Sequence, residues 1–456
     1  MLAVEDVSGR SVALDVSGAE TLHGMITVGC VVLLQGEYDA DGLAPAAAAR
    51  AAAAAAGVAG PAASTHRPGG SAAGMDSSRL GSALAFVPGG GSGRGAGLLS
   101  AGLSSLAPPP PPPLGVPRYN ATLLEHSIPG VFHVAAAAHP PPEPREETLR
   151  AMGIVDPLRL LDTPADAARA RAQESSREEK RVTWLVASHV HLDVPGTHTL
   201  LGELLAGFSA ARSLPAALVL MGDFLAAPYG SRPGDRGRLT AGLAALAETL
   251  SAFPSFLEAA HVILVPGPHD PGAPGVAPHL PLLSHFCGPL LDRARFPRLS
   301  LTTSPARLSF FTREVVLWRD EPTAKLRRCS LLPLAPGIEP SEHVGCGSGG
   351  VAASSACNTY PCLPLQMART LVEQAHLSPL PLAVQPTYWP LDHALRLSPT
   401  PDAVLAGESL PAYVHAHGGC CVANPGPFGE TGAFLLYRPA LGRAELSAVR
   451  PGDGGS

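Results

Sequence analysis

Residues 182–265 alternate short apolar runs with longer helix-like segments, and no other feature of the chain constrains its fold as tightly. Residues 184–188, 217–221 and 261–265 are rich in Val, Leu and Ile and short enough to read as strands. Helices are expected between them, at about 197–209 and 238–252. Strands spaced by helices imply parallel β-α-β units, which gather functional groups at the carboxyl ends of their strands. Strand-like residues 299–303, 308–312 and 315–318 are closely spaced, as in the second sheet of a two-sheet sandwich. A helix at about 363–375 and strands at 403–406, 420–423 and 433–437 follow. The fold class read from this pattern is α/β (α+β), a two-sheet sandwich flanked by helices.

A chain of 456 residues with 46% hydrophobic content has ample material for a core of this kind. Glycine and proline contribute 49 residues each and concentrate in a few stretches, which marks inserted low-complexity sequence around ordinary folded parts. A net charge of -6 supplies no basic stripe, so strong autonomous nucleic-acid binding is not expected. The eight cysteines include no C-x-x-C pair, and Cys346, Cys357 and Cys362 are spaced too loosely for a zinc knuckle. A reduced intracellular protein without structural zinc is the simplest account. The amino terminus carries Glu5 and Asp6 where a secretory signal has basic residues, and no apolar run spans a bilayer.

Upstream, residues 4–16 read as a β-hairpin turning at Ser8-Gly9, residues 28–36 as a third strand and residues 130–134 as a late strand of the same sheet. Together they suggest part of a small β-barrel. Between them lie an alanine run, glycine/serine-rich sequence and six consecutive prolines, which cannot bury enough varied surface to offset ordering entropy. The layout expected is a partial barrel at 1–38, a low-complexity disordered insertion at 39–127 and a last barrel strand at 128–138. A linker follows at 139–181, with a solvated helix in its charged stretch 166–180, and then the sandwich at 182–450 with an insertion at about 337–357.

The loops after the first three strands carry chemistry-bearing residues: His189-Val190-His191, Gly222-Asp223-Phe-Leu-Ala226 and Gly267-Pro268-His269-Asp270. A two-metal hydrolase holds its cations about 3.5–4 Å apart and needs a bridging carboxylate and neutral imidazoles from several strand ends. Calcineurin-like phosphoesterases place them in D-x-H, G-D-x-x-D, G-N-H-D/E, a lone His and G-H-x-H, and the loops here resemble that series in order. The departures are many. Histidine stands at the first aspartate position, Ala226 at the second acid and Pro268 at the asparagine, while Ala406-Gly407-Glu408-Ser409-Leu410 stands where G-H-x-H belongs. His189, His191, Asp223, His269 and Glu408 are therefore read as vestigial metal positions holding at most one adventitious cation. No catalytic residue, resident metal or cofactor is expected. The alternative is that His191 and His269 are ordinary partly buried histidines and Asp223 caps or orders a turn.

An inactivated phosphoesterase domain behind an oligonucleotide/oligosaccharide-binding (OB) type barrel resembles the B subunits of the replicative DNA polymerases. The epsilon branch is most similar, through Gly222-Asp-Phe-Leu-Ala-Ala-Pro-Tyr-Gly230, Val265-Pro-Gly-Pro-His-Asp-Pro-Gly272, Thr302-Thr-Ser-Pro-Ala-Arg307, His376-Leu-Ser-Pro-Leu-Pro-Leu382, Tyr388-Trp-Pro-Leu-Asp-His-Ala-Leu-Arg396 and Asn424-Pro-Gly-Pro-Phe428. Residues 5–15 resemble the central hairpin of that family's barrel and 131–134 its closing strand. By this comparison the chain begins inside the barrel, without its first strand or the small helical domain ahead of it. The resemblance implies a calcineurin-like sandwich without activity and a partial, split OB-type barrel. It further implies a non-catalytic accessory role in chromosomal DNA replication, in the nucleus. The implied partners are the C-terminal cysteine-rich region of the catalytic subunit of DNA polymerase epsilon, helicase-associated replisome components, small histone-fold subunits, and DNA in the context of the holoenzyme, with no membrane. The competing readings are an active metal-dependent phosphodiesterase and the corresponding accessory protein of polymerase delta or alpha.

Overall fold

The computed structural model describes residues 2–6, 11–21, 24–39, 83–86, 127–332 apart from 159, 162, 273, 274 and 293, and 362–449. It divides into two compact units, one of residues 1–22 and 28–138, the other of residues 23–27 and 139–456. The expected disordered insertion at 39–127 lies outside the described residues except at Asp39, 83–86 and Ser127, and the insertion at 337–357 lies wholly outside them.

The first unit contains β1 (Leu2–Asp6), β2 (Ser11–Asp15), β3 (Glu20–Thr21), β4 (Val31–Asp39), β5 (Ala83–Phe86) and β6 (Ser127–Ala138). β1 and β2 pair as the predicted hairpin, with Val4 opposite Val12 and Leu2 opposite Leu14. β2 runs parallel to β6, β6 antiparallel to β4, β4 to β5 and β5 back to β1. These five strands close a ring, and β3 extends it beside β6. A partial barrel was expected; the ring is complete because β5 comes from inside the stretch read as low complexity. Ala83-Leu-Ala-Phe86 is too short an apolar run to stand out among its glycine- and serine-rich neighbours.

In the second unit the elements are α1 (Arg145–Met152), α2 (Pro164–Glu174), β7 (Trp184–Ala187), α3 (Pro195–Ala210), β8 (Ala217–Met221), α4 (Asp235–Ser251), α5 (Pro254–Ala259), β9 (His261–Val265), β10 (Leu299–Leu301), β11 (Ala306–Phe310), β12 (Arg313–Arg319), α6 (Pro322–Cys329), α7 (Leu363–Glu373), β13 (Ala403–Gly407), β14 (Tyr413–His417), β15 (Cys420–Asn424), α8 (Phe428–Thr431), β16 (Ala433–Arg438) and β17 (Arg443–Ala448). One sheet has the order β10-β9-β8-β7-β16-β17, with β7 to β10 parallel. The other has the order β11-β12-β13-β15-β14, with β12, β13 and β15 parallel. Residues 299–301 were expected in the second sheet, but they pair with β9 at the edge of the first. A three-residue strand carries too little local pattern to reveal its neighbour.

The alternation of side chains along each strand sorts the core into layers. Leu185, Leu218, Leu220, Val262 and Leu264 face α3 and α4, whose Leu201, Leu205, Leu239, Leu243, Leu246 and Leu250 form apolar stripes at helical spacing. Val186, Val219, Met221, Ile263 and Val265 face the second sheet, meeting Val315, Leu317, Leu405 and Ala423. On that sheet's far side Val316, Trp318, Val404 and Val422 pack on α6 and α7 through Leu326, Met367, Leu371 and Val372. The result is helices, sheet, sheet, helices, with the central strands β7, β8, β12, β13 and β15 buried on both faces. Among the described residues no helix is long and apolar enough to cross a membrane.

Residues 139–181, read as a linker, contribute α1 and α2 to this unit. α2 starts with a capping box in which Thr163 and Asp166 exchange hydrogen bonds. It is not a fully solvated helix, since Ala167, Ala170 and Glu174 are buried.

Residues 24–27 also belong to the second unit. Met25 is fully buried among Met367, Leu371 and Trp318. The N–H groups of Gly24 and Met25 donate to Gln366 Oε1 (2.6 Å) and Thr370 Oγ1 (2.7 Å), which fixes the segment on α7. Met25→Ala is expected to lower unfolding free energy by about 2–5 kcal/mol, the range for truncating a buried Met or Leu. Chemical denaturation of the full chain measures it.

Candidate functional site

Five parallel strands, three from one sheet and two from the other, end at the same place. β7 delivers His189, β8 delivers Gly222 and Asp223, β9 leads to Gly267, His269 and Asp270, β12 ends on Arg319 and β13 on Gly407. The turn after β7 places His189 at φ 54°, in the left-handed region that costs a non-glycine residue about 1–2 kcal/mol. Main-chain bonds from Phe428 to Ser188 (2.8 Å) and from His191 to His189 (3.0 Å) hold that turn.

The centre of the cluster is the Arg319 guanidinium, 1% exposed. Nε donates to the main-chain oxygen of Gly222 (2.5 Å). Nη1 donates to Glu321 Oε1 (3.0 Å) and to the oxygen of Gly407 (3.1 Å). Nη2 donates to His189 Nε2 (2.7 Å) and Asp223 Oδ2 (3.2 Å). All five N–H donors of the fork are thereby satisfied.

This arrangement fixes the state of His189. Arginine cannot lose its proton, so His189 Nε2 must accept from Arg319 and carries no hydrogen of its own. The 3.2 Å approach of Glu321 Oε1 to the same nitrogen then sets acceptor against acceptor, and is a close contact without a shared proton. His189 is neutral, with Nδ1–H donating to Ser188 Oγ (2.8 Å). Burial, reinforced by the Arg319 charge, holds its pKa below the ordinary histidine value.

The two loops of the first sheet lock through their acids. Asp223 Oδ2 accepts from His269 Nδ1 (2.6 Å), and Oδ1 accepts from the His269 main-chain N–H (2.9 Å). Asp270 accepts from the N–H groups of Phe224 and Gly267, both at 2.8 Å. A Cβ on Gly222 would strike Asp270 Oδ2, and one on Gly267 would strike Asp223 Oδ1. Each glycine clears the path for the acid of the other loop, which explains both without invoking a metal.

Burial pushes the Asp223 carboxyl up, but the His269 hydrogen bond and the Arg319 charge outweigh it and hold it at about 2. Glu321 follows the same pattern: burial opposes ionisation, yet the neighbouring His189, the charge of Arg319 and the hydrogen bonds from Ser409 hold its carboxyl below the usual range. Burial and the nearby Asp223 charge raise Asp270 to about 7.

Of the residues singled out in the sequence, Asp223, His269 and His189 meet around Arg319. His191 lies at the rim, its Nδ1–H donating to the main-chain oxygen of Asp223 (3.0 Å). Glu408 does not join them. It is fully buried, accepts from Thr323 and from Tyr413 Oη (2.9 Å), and is raised by burial to about 7. Sequence reasoning missed Arg319 and Glu321. Their signal was the charged run Arg319-Asp320-Glu321 directly after an apolar strand.

A pair of divalent cations does not fit this donor set. The guanidinium occupies the space between Asp223, Glu321 and His189, Asp223 is engaged by His269, and among the described residues no three His, Cys, Asp or Glu side chains are arranged to hold a metal.

Comparison with known proteins places the chain. A family model described as the DNA polymerase alpha/epsilon B subunit matches residues 184–415, which include every strand end of the cluster. The chain belongs to that family. Its relatives include the DNA polymerase epsilon B subunit of Arabidopsis thaliana, 28% identical over 71% of this chain and 57% of the relative. DNA polymerase epsilon subunit 2 of Homo sapiens is 29% identical, and that of Drosophila melanogaster 30%, each over 70% of this chain and 55% of the relative. The chain thus spans little more than half the length of these polymerase epsilon relatives.

Two expectations follow for this family member. Arg319→Met removes one partner from a buried charge cluster and is expected to destabilise the fold by about 3–5 kcal/mol in denaturant titration. The second concerns His269, whose pKa is raised by its hydrogen bond to Asp223, against the opposing effect of burial. Its contribution to stability is complete below about 6.5, the unfolded value, and is lost as pH rises through the higher folded value. NMR titration of His269 is expected to show that elevation and its loss in Asp223→Asn.

Proposed function

We propose that this chain is a non-catalytic accessory subunit of DNA polymerase epsilon in chromosomal DNA replication in the nucleus. The observation that carries this reading is the family match across residues 184–415, supported by relatives that bear the epsilon subunit's name in plant, human and fly. The catalytic subunit is the partner, and its C-terminal cysteine-rich region is the segment gripped. Helicase-associated replisome components, the small histone-fold subunits and DNA are met within the holoenzyme.

On this reading the two-sheet unit is a calcineurin-like phosphoesterase sandwich whose chemistry has been lost, and the ring of β1, β2, β6, β4 and β5 is a barrel of the OB type. The order of the strands and the convergence of their carboxyl ends support the first part, and the parallel β2–β6 pairing supports the second. A rigid sandwich with an internally neutralised centre serves as a docking body, because it has little conformational freedom to lose on association.

Co-expression of the full chain with the C-terminal cysteine-rich tails of the epsilon, delta and alpha catalytic subunits, followed by size-exclusion chromatography, tests the assignment. A stoichiometric complex with the epsilon tail is expected. Preferential capture of the delta or alpha tail by a folded chain would overturn the choice of polymerase.

A further inference from the structure

Two stretches of the second unit, residues 276–291 between β9 and β10 and residues 376–391 between α7 and β13, contain no Asp, Glu, Lys or Arg. They nevertheless reach the surface. Leu280, Leu283, Leu291, Leu382, Tyr388 and Trp389 lie in them and make up more than half of the large apolar side chains that the described residues expose. Trp389 is 69% exposed and Tyr388 58%, whereas Trp184 and Trp318 are buried in the core. The Ala277 N–H donates to the Pro386 oxygen (3.0 Å) and the Tyr388 N–H to the Ala277 oxygen (2.8 Å), which joins the two stretches side by side. At this junction the buried Gln385 donates to the Gly275 oxygen (3.2 Å) and accepts from Lys325 of α6. Ala277, Leu282 and Leu395 anchor the loops in the core. Pro278, Pro281, Pro386 and Pro390 restrict their main chain further.

We infer that these two stretches form an apolar docking face for the C-terminal region of the polymerase catalytic subunit, with Trp389 and Tyr388 as its anchors. The identity of that partner rests on the accessory-subunit reading, and its chemistry on the composition of the face. Contiguous exposed apolar surface marks an interaction site, and Trp and Tyr carry a large share of binding energy once desolvated. With no Lys or Arg in either stretch, the face has nothing to neutralise a phosphate backbone, so nucleic acid is a poor match. An anionic lipid surface loses its electrostatic attraction for the same reason. A charged protein surface would be desolvated here without a carboxylate, ammonium or guanidinium to meet it. The occupant that fits is a protein segment presenting an uncharged apolar face, as permanent subunit contacts do. Charge returns at the border, in Asp292 and in the Asp392–Arg396 pair (2.9 Å), as the polar rim of such a contact. Loops already pinned by hydrogen bonds and prolines lose little freedom when the partner seats on them.

The test uses the full chain and the C-terminal cysteine-rich tail of the epsilon catalytic subunit. Trp389 is the exposed member of the chain's three tryptophans, so the acrylamide-quenchable fluorescence that is missing from Trp389→Phe reports on it. The tail is expected to abolish that quenchable component, and single-stranded DNA and phosphatidylcholine vesicles are expected to leave it unchanged. Trp389→Ala is expected to weaken tail binding by at least about thirtyfold in calorimetric titration. Trp389→Glu combined with Leu280→Glu is expected to end co-elution with the tail. Leu160→Glu, at an exposed leucine outside both stretches, is expected to bind like the wild-type chain. Wild-type affinity in a folded Trp389→Glu, Leu280→Glu chain, or a Trp389 that stays quenchable in the wild-type complex, would overturn the docking face and leave the accessory-subunit reading intact. Failure of the folded wild-type chain to bind the epsilon tail would overturn that reading and this occupant together. Protection of Trp389 by DNA or by vesicles in place of the tail would overturn the protein occupant. Where a variant does not fold, the fluorescence of the wild-type complex decides.

Discussion

The structure depends on one guanidinium. Arg319 draws together main-chain or side-chain atoms from β7, β8 and β13 while standing at the end of β12, so a single side chain ties the carboxyl ends of both sheets. Burying an arginine costs several kcal/mol of desolvation, and the cost is met only where the geometry is good and every donor has a partner. Here all five are engaged, two of them by carboxylates held ionised. The same interactions determine the protonation of their surroundings: Asp223 is held at about 2 and Glu321 below its ordinary value, while His189 is kept neutral.

The loops beside that centre are held by their own residues: Gly222, Asp223, Gly267, His269 and Asp270 build a loop-to-loop lock in which each glycine makes room for the opposite acid. Ala226 and Pro268 in the same loops, and Leu410 after β13, have side chains that offer no metal donor.

The sequence revealed the sandwich where burial is two-sided and missed it where burial is partial. β7, β8 and β9 were legible because both faces of each are covered, which leaves near-continuous Val, Ile and Leu. β14 and β17 were not, since Tyr413-Val-His-Ala-His417 and Arg443-Ala-Glu-Leu-Ser-Ala448 mix polar and small residues on strands that lie at sheet edges. In the site, His191, Asp223 and His269 were found by their order along the chain. Arg319 was overlooked because a reading for metal ligands passes over a residue that cannot ligate. Glu408 misled for the converse reason: its chemical type fits a ligand, but its side chain turns to Thr323 and Tyr413.

The border of the second unit is decided by charge. Arg145 of α1 donates to Glu314 Oε2 (2.8 Å), and Glu174 of α2 accepts from Arg313 (2.7 Å), which also reaches Asp402 (2.7 Å). Glu314 and Glu174 are 3% and 8% exposed, so both carboxylates are neutralised away from bulk water, where salt screens little. A fragment trimmed to start at Val182, where the apolar pattern begins, would strip Glu314 of Arg145 and leave Arg313 with Asp402 alone. α1 and α2 are therefore part of the second unit together with residues 24–27, and a boundary drawn at Val182 cuts into it.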